Sequence, residues 1–295
     1  MKQFEEVIRS YADAVTQDRQ EAAQAAAMQA LLMAGEEALR NPTPNLLLKQ
    51  EAQDCEARGD WMAAEAAYRK VLALEERSGN FGMIAKAHLD LSRLLRVLGR
   101  LEEACQSASQ ATVAAHNAQI FPLLVRTLEC QAYCALDKGD LTAALTAASE
   151  AVQIIEPGKI YDLIRAKALI TRAQCLLACG EHASAESDLA QSWELLQTRS
   201  GSAIIPGPLL RLASWWEVKS QLEEQLPNPN AAREAMSQAV KYLRQLQGPY
   251  AQLALARTLQ GVSRLSSEAE DSLEAERAST EAQEIRRAVG LPSAA

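Results

Sequence analysis

The chain has 295 residues, a formal net charge of −8 at pH 7, a pI near 5.2 and only 4% aromatic residues. An acidic chain lacks the basic footprint of a general nucleic-acid binder, and so few aromatics leave few platforms for stacking bases. Length alone suggests two globular domains, a need that the internal repeats below remove.

The first 20 residues carry Glu5, Glu6, Arg9, Asp13 and Asp18, so no signal-peptide core is expected there. The longest uncharged run, 106–125, is full of Gln, Ser and Asn and contains Pro122, which does not suit a membrane span. Six cysteines, all in expected helices, fit a reducing compartment better than a disulfide framework. A soluble cytoplasmic protein is the expectation. Residues 1–40 read as two amphipathic helices, the second alanine-rich and stopped at Asn41-Pro42-Thr43-Pro44. The segment 1–44 is expected to be an N-terminal capping pair, because terminal units of helical arrays are atypical.

From residue 45 a period takes over. Gly59, Gly99, Gly139 and Gly180 are 40 or 41 residues apart. Seven residues before each is a small residue: Ala52, Ser92, Ala132 and Ala173. Five after each is Ala64, Ala104, Ala144 or Ala185. Small residues at fixed places let two helix backbones approach closely. Each glycine supplies the left-handed backbone that ends a first helix, and Asp60 and Asp140 follow as N-caps for the second. The stretches 60–78, 100–117, 140–155 and 181–198 repeat apolar residues every three or four places, which is helical periodicity. The pattern predicts antiparallel helix pairs over 45–198.

A Gly/Pro-rich break follows, from Ser200-Gly201-Ser202 to Pro206-Gly207-Pro208. It is expected to be an irregular hinge over 199–208 that displaces the pairs after it. Degenerate units follow in 199–295. Residues 213–246 hold Trp216, Ser220, Ala232, Met236, Ala239 and Val240 in the expected order, with Leu226-Pro227-Asn228-Pro229-Asn230 in place of the glycine turn. Residues 249–290 hold Ser263, Ala275 and Ala282 in register and close the array as a C-terminal cap. Trp216 is expected in the core and Trp215 elsewhere on the helix, either in the bend or as an aromatic pocket wall. About fourteen helices are expected in all.

Ala52, Gly59-Asp60-Trp61, Ala64, Tyr68 and Leu72 resemble a tetratricopeptide repeat, as do Leu128, Ala132, Gly139-Asp140-Leu141, Ala144, Ala148, Ala151 and Val152. The units around Gly99 and Gly180 resemble the same pattern with more drift. The usual repeat is about 34 residues. The extra residues here would lengthen each helix of a pair by roughly 4–5 Å. Such long repeats resemble those of kinesin light chains, spindle-orientation adaptors, bacterial peptide-sensing receptors and the sensor domain of maltose-type regulators. The resemblance implies an all-α, right-handed α-solenoid.

Chemistry is sparse. There is no phosphate-cradling glycine loop, no dinucleotide fingerprint and no paired-histidine zinc motif. His88 and His182 fall at core places of the repeat, and His116 lies near a helix end. Cys130 with Cys134, and Cys175 with Cys179, are each four apart on a helix face. Four thiolates could close a zinc or copper site, but the two pairs are offset in the repeat and would splay. The reading kept is small apolar filler, with no metal, no cofactor and no enzyme.

The resemblance also implies that first helices line a concave face. The lining places are Leu46, Lys49, Gln50, Gln53 and Glu56 in the first unit, and Lys86, Leu89, Asp90, Arg93 and Arg96 in the second. Arg126, Glu129, Cys130, Tyr133 and Leu136 follow in the third, and Lys167, Ile170, Thr171, Gln174 and Leu177 in the fourth. Six are basic and three acidic, so the face is net +3 in a chain of net −8. Chaperone-binding members of the family hold an acidic tail through a carboxylate clamp. The corresponding places here are Lys49, Gln53, Asp90, Arg126 and Cys130, where Asp90 would repel a carboxylate and Cys130 removes a charged donor. A generic basic groove remains. The expected function is a non-enzymatic scaffold or adaptor that binds a partner peptide or helix with acidic character. The expected contacts are Lys49, Gln53, Lys86, Leu89, Arg93, Arg96, Arg126, Glu129, Tyr133, Lys167 and Gln174. The alternative is a ligand- or peptide-sensing regulatory domain. No nucleic acid or membrane partner is expected.

Overall fold

The computed structural model describes residues 43–155, 162–197, 206–226 and 228–291, the side chains of 206–208 excepted. The expected capping helices at 1–40 and the segment 198–205 lie outside the described residues. Two compact units divide at Gln50, the second running from Glu51 to Ala295. The described part of the first unit is the opening of one helix.

Twelve helices and no strands occur among the described residues. They are α1 (Pro44–Ala57), α2 (Trp61–Ser78), α3 (Phe81–Val97), α4 (Leu101–Ala118), α5 (Phe121–Lys138) and α6 (Leu141–Ile154). Then come α7 (Asp162–Ala178), α8 (His182–Gln197), α9 (Pro206–Gln225), α10 (Pro229–Leu243), α11 (Pro249–Glu268) and α12 (Ser272–Ala288). From α2 onward consecutive helices pack on one another, and α3 packs on α5, α5 on α7 and α7 on α9, so these first helices stack in sequence. The fold is an α-solenoid of antiparallel pairs.

The sequence signals act where they were expected. Gly59, Gly99, Gly139 and Gly180 have φ of +75, +72, +79 and +80°, a region that costs an L side chain about 1–2 kcal/mol. The Asp60 and Asp140 carboxylates accept from the Ala63 and Ala143 amides at 3.1 and 3.0 Å, a cap that contributes about 1 kcal/mol. Ala52, Ala132 and Ala173 are fully buried, as are Ala64, Ala144 and Ala185. The small pair twelve residues apart is thus the crossing point of each hairpin. Where the first member is serine its hydroxyl is used: Ser92, Ser220 and Ser263 donate to Ala104, Ala232 and Ala275 carbonyls, each at 2.8 Å.

Two expectations change. The helix after the break begins at Pro206, so Pro206-Gly207-Pro208 is its first turn and not part of an irregular connection. The first turn has amides with no intrahelical partner, so proline loses nothing there. The tryptophans exchange roles. Trp215 is buried and its indole donates to the Leu189 carbonyl at 2.9 Å, while Trp216 is half-buried. Trp215 stands five residues before Ser220. The equivalent places, Ala87, Thr127, Ala168 and Thr258, are all buried. That place faces the neighbouring pair, and Trp215 fills it with a large ring against Trp193, centroids 4.5 Å apart.

The second unit also closes on itself. The Trp61 indole, at the start of α2, donates to the Val289 carbonyl beyond α12 at 2.8 Å in a buried contact. A Cβ built on Gly290 would lie 2.6 Å from the Gly59 carbonyl oxygen. Tyr250 of α11 packs edge-on to Trp61, centroids 6.0 Å apart, and its hydroxyl donates to Glu56 of α1. The Arg93 guanidinium lies 3.9 Å from the centre of the Tyr250 ring.

Candidate functional site

First helices α3, α5, α7, α9 and α11 of the second unit share a cavity of about 520 Å³. Most of its lining comes from these first helices, and the second helix α10 adds Met236.

Four predicted residues meet there: Arg96, Tyr133, Lys167 and Gln174. Lys167 Nζ donates to the Tyr133 hydroxyl at 2.6 Å, and that hydroxyl is 3.1 Å from Thr171 Oγ1. Lys167 and Arg96 also lie 5.0 and 5.3 Å from the centre of the Tyr133 ring, within cation–π range. Burial works against the Lys167 ammonium, but Tyr133 and Glu129 hold its pKa above the ordinary lysine value, so it stays charged.

The remaining predicted residues stand elsewhere. Gln53, Lys86 and Arg126 are exposed but do not line this cavity. Lys49 is half-buried in the first unit. Arg93 is engaged in the closing contact, 3.7 Å from both Glu56 and Asp90. Leu89 was expected as an exposed anchor and is instead 9% exposed, packed in the core with Ala85, Val125 and Leu128. The close stacking of α3 on α5 covers it. Glu129 is also buried, with Oε1 lacking a hydrogen-bond partner. Burial pushes its pKa up to about 7, against the pull of Lys167, Arg211 and Arg126.

Sequence reasoning missed the opposite wall. Helices α9 and α11 contribute Glu217, Gln221, Glu224, Arg257 and Arg264. Without a turn glycine their register was hidden, yet the serine–alanine pairs Ser220/Ala232 and Ser263/Ala275 mark it. Gln221 and Arg264 then fall at the place of Arg93, Tyr133 and Gln174, one residue after the small residue. The wall changes the electrostatics. Arg96 pairs with Asp137 at 2.7 Å, Arg257 with Glu217 at 3.0 Å and Arg264 with Glu224 at 2.6 Å. The cavity is therefore mixed in charge, not uniformly basic.

Among the described residues no group of three or more His, Cys, Asp or Glu is placed to hold a metal. The Cys130 and Cys134 thiols both lie beside Ser92 Oγ, at 3.4 and 3.5 Å. No described helix is long and apolar enough to cross a membrane.

No family model and no curated protein matches the sequence. Solved structures do match in fold. The apo form of RapI superposes with a TM-score of 0.64 at 11% identity, covering 97% of this chain and 98% of that one. A Rap protein complexed with Competence and Sporulation Factor gives 0.63 at 10% identity, over 95% of this chain and 73% of the other. The Rap conjugation gene regulator of plasmid pLS20, in complex with the Phr* peptide, gives 0.59 at 13% identity, over 98% and 77%. The chain thus has the tetratricopeptide-type architecture that its repeats resemble, and at these identities the likeness is one of fold.

Proposed function

We propose that this chain is a non-enzymatic protein-interaction module that holds a peptide segment of its partner in the cavity of the second unit. The observation that carries the reading is the convergence of five first helices on one cavity of mixed polar and apolar lining. Its wall offers amides (Gln174, Gln221), charges of both signs and a tyrosine ring. Amides suit the alternating donors and acceptors of a peptide backbone, and rings and arginines are the usual anchors of such contacts. Exposed Lys86 and Arg126 are cations that would help to steer an acidic partner segment.

A short peptide is favoured over an extended partner surface by the size of the cavity, which lies in the range of small-ligand sites. Two of the structures with the same fold are peptide or factor complexes. The test is a random peptide library panned on the immobilised chain, followed by calorimetric titration of the enriched peptides. Binding should weaken about tenfold or more when Gln174 and Gln221 are both changed to Ala, with the fold unchanged. Equal affinity in a folded variant would place the binding site elsewhere.

A further inference from the structure

Ion pairing singles out one cation of the cavity wall. Arg96, Arg257 and Arg264 each have a carboxylate at 2.6–3.0 Å, namely Asp137, Glu217 and Glu224. Lys167 has none within ion-pair distance among the described residues, and its ammonium donates to a phenol instead. The wall thus holds four cations against three carboxylates. An ammonium has three donors, and a neutral hydroxyl takes one. Glu129 and Glu217 act on this half-buried lysine only from beyond contact, so its ammonium has room for a carboxylate in direct contact, and taking an ammonium out of water is costly unless it is paired. Arg96 reinforces the same corner, because its guanidinium and the Lys167 ammonium share the Tyr133 ring.

Size decides what kind of anion. The cavity, about 520 Å³, holds a ligand of drug size, which for a peptide is a few residues. A peptide that short brings its own ends into the cavity. The closing contacts of Trp61 with Val289 and of Tyr250 with Glu56 tie the start of the second unit to its last helix pair, which favours a ligand that terminates inside over one that runs through. We propose that Lys167 and Tyr133, flanked by Arg96, form a subsite for the C-terminal carboxylate of a short peptide. The carboxylate accepts from the Lys167 ammonium and supplies the negative charge that the wall lacks, while Gln174 and Gln221 take backbone groups of the same peptide. This deepens the peptide reading above and rests on it.

The experiment uses the full chain, immobilised, and two pools of N-acetylated random tetrapeptides. One pool ends in a free carboxylate and the other in an amide. Retained peptides are quantified by mass spectrometry. The expected result is that retained sequences are recovered at least tenfold better as acids than as amides, the scale of one charge-assisted hydrogen bond. Lys167→Met should erase that preference, Lys167→Arg should keep part of it, and Tyr133→Phe, which preserves the ring, should reduce it. Circular dichroism and urea midpoints show whether each variant is folded. Should the acid and amide pools be retained equally, the peptide reading stands and the carboxylate subsite is overturned. Retention of neither pool overturns both. A preference that survives in folded Lys167→Met moves the carboxylate away from this corner and overturns the assignment.

Discussion

The contact between Gly59 and Gly290 makes a prediction that separates backbone strain from closure. Gly290→Ala and Gly139→Ala both place a Cβ on a left-handed residue, at φ +74 and +79°. That conformation costs about 1–2 kcal/mol for an L residue. Around Gly139 a Cβ meets nothing within 4 Å, whereas at Gly290 it would lie 2.6 Å from the Gly59 carbonyl oxygen and 3.0 Å from its Cα. Both are backbone atoms and cannot rotate away. The two segments must therefore part by several tenths of an ångström, which stretches the 2.8 Å bond from Trp61 to Val289. Losing a buried hydrogen bond and leaving its carbonyl unpaired costs about 1–3 kcal/mol. Gly290→Ala should then destabilise the chain by about 2–5 kcal/mol, against about 1–2 kcal/mol for Gly139→Ala, in urea unfolding followed by tryptophan fluorescence. Hydrogen exchange in α12 should quicken only in the first variant. Adding Trp61→Phe to Gly290→Ala should cost less than it does alone, because the bond it removes is already strained. Equal losses for the two glycines would refute the idea that the closing contact stabilises the fold.

Three further outcomes follow from the same contacts. Glu129→Gln should flatten the pH dependence of stability: burial raises the folded pKa from 4.5 to about 7, so the native state binds the extra proton, and stability falls as pH rises through that window by about 3 kcal/mol; urea midpoints at pH 5 and 8 that differ equally in both proteins would contradict this. Trp215→Phe should cost about 1–2 kcal/mol, since it removes a buried hydrogen bond of 2.9 Å to the Leu189 carbonyl, which keeps its bond from the Ser192 hydroxyl at 2.8 Å, and shrinks a packed ring, whereas Trp216→Phe should cost less. Arg172→Met should cost about 3–5 kcal/mol, because it leaves the Asp188 carboxylate, 3% exposed and bonded at 2.6 and 2.7 Å, buried without its partner; a melting temperature within a degree of the parent would count against that pair.

The hairpins were legible because their determinants are local. Gly139, Asp140 and Ala144 act on one another within a turn, and Ala132 meets Ala144 across a single hairpin. The closing contact was not legible, because Trp61 and Val289 are 228 residues apart in sequence and neither carries a local signal for the other. The exchange between Trp215 and Trp216 has a different cause. Neighbouring residues on a helix point about 100° apart, so the identity of the inward residue depends on which face meets the neighbouring pair. The composition of 213–246 cannot supply that, although the buried places of Ala87, Thr127 and Ala168 can. Half of the cavity was read and half missed for the same reason, since α9 and α11 carry no turn glycine to set their register.

Most of the charges on the cavity wall are used between repeats. Arg96 and Asp137 are 41 residues apart, Arg257 and Glu217 40, and Arg264 and Glu224 40. Each pair joins equivalent regions of successive first helices, one repeat period away. An exposed pair of this kind contributes only about 0–1 kcal/mol, but a pair at the same step along the array also fixes how far each first helix slides on the next. A ligand that competed for these arginines would have to replace a carboxylate already in place, with little net gain. On the peptide reading proposed above, recognition falls to wall groups that have no carboxylate partner. On this wall those are the Lys167 ammonium, whose bond to the Tyr133 phenol crosses between two first helices without a carboxylate, and the amides of Gln174 and Gln221. The braces join one first helix to the next, and the few groups left out of the carboxylate pairs are the ones that the proposed reading assigns to the ligand.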